Sequence, residues 1–353
     1  MLNQASAAVV IVANRTETTL RFEAQRQQDS SWRRQVIDPG DCVAISLESS
    51  ETLSIRGADA GSYRLAPYGM YYFGATQSGN IELREIGLAM PEVVARPQEH
   101  ALLGAQADLG VHMPAKDNKD KDNEARRSIT IAIYVDDEEP TVDQVWRKRL
   151  ADRVAQASRI LERSCGMKLT VKSFGRWETN DAVDDFELSL REFERQVRPK
   201  DVQVAIGFTN QYQITRGRTH LGGTHGPLHS HILLREWSQH VTEPERLELL
   251  VHELAHFLGA AHSPENGSVM RPLLGDRQAR ARAFRIALDP VNALAMSVVG
   301  EEIRDRGITS FAQLSEPSRA RLEAVYTTLA QSMPNDPAPA AYLRYVKRQR
   351  PAP

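Results

Sequence analysis

Residues 242–272 read TEPERLELLVHELAHFLGAAHSPENGSVMRP, and the spacing within this stretch points to both a local structure and a chemistry. Thr242 and Glu245 stand in capping-box relation with Pro244 inside the first turn, so a helix starts here. Leu247, Leu250, Leu254 and Leu258 follow as one apolar stripe, which predicts a helix whatever its role. On it His252 and His256 are four apart. They project from one face a turn from each other, close enough for two imidazoles to bind a single ion. Gly259 can end the helix with a positive φ and turn the chain so that His262 returns to the same ion. Three neutral imidazoles leave a fourth tetrahedral position open, the arrangement of a catalytic zinc and not of a closed structural one. Zinc lowers the pKa of its bound water to roughly 7. Glu253, beside the first ligand, is placed to take that water's proton and pass it to a leaving amine. A bare HExxH arises by chance often enough to need support. Here it extends to HExxHxxGxxH on an independently predicted helix.

The sequence before the helix reads as a βα domain. Ile129, Ile131, Ile133 and Val135 alternate as a half-buried strand should. A helix follows, with Thr141 and Gln144 in capping-box spacing, Val142, Trp146, Leu150, Val154, Ala157 and Leu161 on one face, and Gly166 as its stop. Next come a strand around Leu169 and Val171, a polar and partly helical stretch to Val197, and a strand carrying Val202, Val204, Ile206 and Phe208. Residues 219–237, THLGGTHGPLHSHILLREW, hold two candidate strands with a Gly/Pro break between them. The second, at Ile232 to Leu234, leads into the motif helix.

Further out the signals are weaker. Residues 1–90 carry short β-type runs, among them VVIV, TLRF, VAISL, TLSI, YRLAPYGMYYF and IELREIGL, and read as a small all-β, sandwich-like accessory domain with a binding or spacer role. Residues 91–127 lose apolar patterning and end in the charge run KDNKDKDNEARR, as an exposed linker does. Residues 128–340 form the second domain and 341–353 a basic, Pro-containing frayed tail. The fold class is therefore α+β. With 353 residues and a formal net charge of -2, two unequal domains are expected and nothing suggests a nucleic-acid or membrane partner. No run is apolar for long enough to span a bilayer. The segment Ala5-Ser6-Ala7 has small residues of the kind that precede a signal-peptidase cut. No basic region and proper apolar core accompany it, so there is no clear signal peptide. Cys42 and Cys165 offer no disulfide framework.

From its zinc-binding signature onward, this stretch resembles the metzincins, the clan of matrixins, adamalysins, astacins and serralysins. The resemblance covers motif and element order from about Ser128 to Pro272. It implies a twisted mixed sheet, an active-site helix and C-terminal helices. Carried over residue by residue it gives one catalytic Zn2+ on His252, His256 and His262, Glu253 as general base and acid, and Met270 as the Met-turn methionine flooring the site. Ser263 and the short spacing to Met270 are similar to matrixins in particular, whereas Pro272 stands where astacins and serralysins carry tyrosine. Thr219, His220, Leu221 and Gly222 would then belong to the edge strand that pairs with an extended substrate, and Pro272, Leu273 and Leu274 would border an apolar pocket. Matrixins commonly carry a second zinc and calcium. His220, His225, His229 and His231 leave a second metal open, without the accompanying aspartates. Cys42 lacks the surroundings of a latency switch and reads as a small core residue. The expected protein is a zinc-dependent endopeptidase acting on protein or peptide substrates, with an extracytoplasmic or secreted setting favoured. Two alternatives stay open: a non-catalytic metal-containing binding protein, and a zinc amidase acting on a cell-wall-type amide.

Overall fold

The computed structural model describes residues 7–48, 51–57, 61–88, 128–211, 221–236, 241–274, 278–281 and 284–348. The expected linker at 91–127 lies outside them, as do Thr219 and His220. The N-terminal strands are β1 Ala7–Asn14, β2 Leu20–Arg26, β3 Arg33–Ile37, β4 Cys42–Glu48, β5 Leu53–Gly57, β6 Gly61–Leu65, β7 Met70–Ala75 and β8 Ile81–Glu85. They form two four-stranded sheets, ordered β4-β1-β7-β8 and β3-β2-β5-β6. Phe22, Ile37, Leu53, Ile55 and Leu65 of one sheet pack on Ala8, Val10, Val12, Leu47 and Phe73 of the other. Strand β3 escapes sequence reading because Arg33 and Arg34 interrupt its apolar signal. The run YRLAPYGMYYF is two strands, since Tyr68 takes φ 60° and the Gly69 N–H donates to Ala66 O at 3.1 Å to turn the chain.

Strand β1 is buried on both faces. Ala8, Val10 and Val12 point into the sandwich core, while Val9, Ile11 and Ala13 join a second core. That second core is built on the sheet of β9 Ser128–Asp136, β10 Lys168–Trp177, β11 Val204–Thr209, β12 Gly222–Gly223 and β13 His231–Arg235. Its order is β10-β9-β11-β13-β12. The β9–β10, β9–β11 and β11–β13 pairs are parallel, and β12 runs antiparallel to β13. Parallel neighbours need a crossover: helix α1 Asp143–Cys165 connects β9 to β10, and helix α2 Phe186–Gln196 lies on the return from β10 to β11 on the other side of β9. Helix α1 begins one residue later than the Thr141–Gln144 spacing predicts. Its N-cap is Val142, because the Thr141 hydroxyl bonds to Glu139. Gly166 ends it at φ 72° as expected.

After β13 come α3 Glu243–Phe257, α4 Pro290–Arg306, α5 Glu316–Ser332 and α6 Pro337–Arg348. Helix α4 packs against β1 and α1 and is nearly all buried. The basic end expected to fray is ordered as α6 through Arg348, because Val346 is buried and Tyr342 and Leu343 pack on the main core. No described helix is long and apolar enough to cross a membrane.

Candidate metal centre

Helix α3 opens with the Thr242 N–H donating to Glu245 Oε2 at 2.7 Å, which satisfies a terminal donor and fixes where the turns begin. Its apolar stripe, Leu250, Leu254 and Leu258, lies in the core. His252 and Glu253 are thereby carried into the interior, at 6% and 5% exposure.

Each imidazole is oriented by its outer nitrogen. His252 Nδ1 lies 2.7 Å from Val269 O, His256 Nδ1 lies 2.8 Å from Ala260 O and His262 Nδ1 lies 2.8 Å from Asp336 Oδ2. Carbonyl and carboxylate oxygens only accept, so the ring hydrogen sits on Nδ1 and the lone pair on Nε2. The nitrogens of all three rings can meet within 4.8 Å of one another, and the Nε2 atoms of His252 and His256 are 3.0 Å apart. Two neutral lone pairs at that separation repel unless a cation lies between them, so the donor set fits a divalent metal held by neutral imidazoles. Burial reinforces the neutral state, holding His252 well below its ordinary value and pulling His256 down to about 4. Burial also lifts the Glu253 carboxyl to about 8.

The return to His262 is a built feature. Gly259 adopts φ +89°, and a Cβ there would come within 2.9 Å of Val299 Cγ2. The Tyr326 hydroxyl donates to Gly259 O at 2.7 Å, and the Ala261 N–H donates to Asn292 Oδ1 at 2.9 Å. Asn292 in turn donates to Asp289, the N-cap of α4, and the same carboxylate accepts from Ser268 Oγ at 2.8 Å. One helix start thus holds both the segment before His262 and the turn at Met270. That turn closes with Ser263 N donating to Met270 O at 2.9 Å, and Met270 is fully buried. Arg271 Nη1 donates to Glu248 Oε1 at 2.7 Å, tying the turn back to α3.

Of the expected site residues, His252, Glu253, His256, His262 and Met270 are brought together. Gly222 is in β12, close enough that a Cβ on it would lie 3.0 Å from Glu253 Cγ, and Leu221 packs beside the main core. Leu274 packs there too, whereas Leu273 is exposed. Cys42 is free and buried in β4, its thiol donating to Leu288 O, and Cys165 is likewise free and buried. Sequence reading missed Asp336, Asn292, Tyr326 and Tyr342, whose hydroxyl is 3.2 Å from His256 Nδ1. All four stand far along the chain, on segments without a motif.

Residues 125–281 match the profile of Metallo-peptidase family M12, Reprolysin_5. This is a little under half of the 353-residue chain, and it leaves out the sandwich and α4 to α6. No curated protein matches the chain. Among solved structures, the crystal structure of archaemetzincin from Methanopyrus kandleri is similar at 12% identity and a TM-score of 0.32, over 51% of this chain and 95% of that one. A structure of a chaperone-substrate complex is similar at 8% identity and a TM-score of 0.33, over 84% of this chain and 42% of that one. Overlaps this loose carry no weight. The profile match together with the three converging imidazoles supports a metallopeptidase module over residues 125–281.

Proposed function

We propose that the protein is a zinc-dependent endopeptidase of the metzincin type, nearest the matrixin-like branch, with His252, His256 and His262 as ligands, Glu253 as general base and acid, and Met270 as the apolar floor. The observation that carries this reading is the convergence of three imidazole nitrogens while each ring's other nitrogen is engaged by an acceptor. The branch assignment rests on Ser263, the short spacing to Met270 and the absence of tyrosine two residues beyond it.

A zinc ion in this set supplies Lewis acidity to a scissile carbonyl and to water. The chain's own residues do the rest. Glu253 is buried, and burial makes its carboxylate a stronger base than an exposed one; in the ionised form, which the charge of a bound cation would favour, it can accept a proton from water and return it to the departing amine. Strand β12 lies at the sheet edge, its inner side paired to β13. Its other side can hydrogen-bond an extended peptide through main-chain groups. The two glycines at 222 and 223 let that backbone approach Glu253, since any Cβ at Gly222 would crowd it. That geometry supports protein and peptide substrates.

The test is Glu253→Gln in the full chain, assayed on a denatured proteome with cleavage-site profiling. Turnover should fall by roughly 10²–10⁴-fold while zinc content is unchanged. Equal cleavage by wild type and variant would remove Glu253 from the mechanism.

A further inference from the structure

We propose that the outer face of the sheet β3-β2-β5-β6 binds an extended acidic glycan, a sugar polymer carrying carboxylates or sulfates. The proposal is independent of the peptidase reading, since no residue of this sheet belongs to the centre on α3. The inner face, with Phe22, Ile37, Leu53, Ile55 and Leu65, is taken up by the sandwich core. Side chains alternate along a strand, so Arg21 and Glu23 of β2, Arg34 of β3, Arg56 of β5 and Arg64 of β6 stand on the other face.

The register sets the arginines in a line. Glu23 stands opposite both Arg34 and Arg56, Arg21 opposite Val36, and Arg64 opposite Ser54. Arg34, Arg21, Arg56 and Arg64 are therefore successive diagonal neighbours, one from each strand, about 7–8 Å apart at each step. Four arginines against one carboxylate leave this face at +3, in a chain whose formal net charge is -2. Arg56 is held by Glu23 at 2.6 Å. Arg21, Arg34 and Arg64 are exposed and have no ion-pair partner among the described residues. Like charges at neighbouring positions of a sheet repel, and a polyanion laid along the line removes that cost.

The make-up of the face selects the class of polyanion. Residues 1–90 contain no lysine. A guanidinium fork grips discrete oxyanion groups through paired hydrogen bonds, whereas lysine meets a diffuse negative surface equally well. Trp32 lies beside the line, half-buried, with the Arg56 guanidinium 4.3 Å from its ring centre. An indole next to charge suits a sugar ring, apolar on its face and polar at its rim. Ser62 and Ser54, opposite Arg56 and Arg64, offer hydroxyls to the hydroxyls of a sugar. The face also looks away from the peptidase module, because the other sheet of the sandwich lies between them. A polypeptide substrate held here is not led toward the metal centre, and the placement suits an anchor.

The experiment titrates the purified full chain into fluorescein-labelled polygalacturonate and heparin and reads anisotropy. Labelled dextran and poly-glutamate are run beside them, and phosphatidylserine vesicles are tested by sedimentation. Wild type should bind polygalacturonate, heparin or both, more tightly than poly-glutamate or the vesicles, and should ignore dextran. Binding to neither acidic glycan overturns the proposal, and this arm requires no variant. Poly-glutamate or vesicles held as tightly as the glycans also overturn it, because the occupant is then not a sugar polymer. Arg21→Ser/Arg34→Ser/Arg64→Ser should weaken glycan binding by roughly tenfold or more, as the steering field of three charges is lost. Arg159→Ser/Lys200→Ser/Arg344→Ser removes the same charge from exposed positions elsewhere and should leave the affinity nearly unchanged. An equal loss in the two triple variants overturns the proposal, since net charge alone then explains the binding.

Discussion

The molecule holds two groups of imidazoles, and they are prepared in opposite ways. On α3 every ring is tied through Nδ1, and the nitrogens that face one another are Nε2. At the start of β13, His231 is tied through both ring nitrogens, Nε2 to Val197 O at 2.9 Å and Nδ1 to Ser230 Oγ at 3.0 Å. The first group sits on one rigid helix and a turn braced by α4, α5 and the segment before α6. The second spans α2, the segment after β12 and the start of β13, with Glu194 standing 35 residues before His229 in the chain. Rigid support on one side and an open ligand position suit chemistry. Side chains spread over separate elements lack that shared frame.

The largest effect that would separate the two groups comes from His256→Ala. It should abolish peptidase activity and zinc binding at the first group, read by metal analysis beside a cleavage assay. If zinc and cleavage both persist in the folded variant, the group on α3 is not the working one and the contrast is broken. A smaller effect follows from Asp336→Asn. The amide is a weaker acceptor for the His262 N–H, and removing such an outer partner typically lowers metal affinity about 10–100-fold, measurable by competition with a chelating dye. An unchanged affinity would mean that the C-terminal segment merely lies beside the site.

Gly259→Ala probes the brace. The positive φ and the crowding against Val299 and Phe311 should destabilise the fold by about 1–3 kcal/mol, seen in urea unfolding, with a parallel loss of zinc. Stability loss with zinc binding intact would show that the turn does not set His262. The smallest effect belongs to Tyr342→Phe. Its hydroxyl shares a ring nitrogen that already bonds to Ala260 O at 2.8 Å, so zinc affinity should change by no more than a few-fold, and a large change would promote Tyr342 to a main support.

These supports explain what could be read from the residues and what could not. The ligands on α3 were legible because helical period converts spacing into direction: His252 and His256 had to share a face. Gly166 and Gly259 were legible because both positions demand a positive φ. The element order from β9 to α3 was legible from alternation and apolar stripes. Asp336 was not, since it lies 74 residues from His262 and only the packing of α5 and α6 brings it back. Helix α6 was misjudged from its basic end, although Tyr342 and Val346 four residues earlier and later on one face were enough to seat it. Asn292 and Asp289 looked like an ordinary helix start, and nothing local told that their side chains would reach Ala261 and Ser268.

Strand β1, with alternate side chains in two different cores, has a consequence for how the protein comes apart. A strand whose both surfaces are spoken for cannot leave one neighbour without also abandoning the other. The sandwich and the α4 layer should therefore melt as a single calorimetric event, with equal calorimetric and van't Hoff enthalpies. A protease that cut between the two halves would liberate neither as a stable fragment.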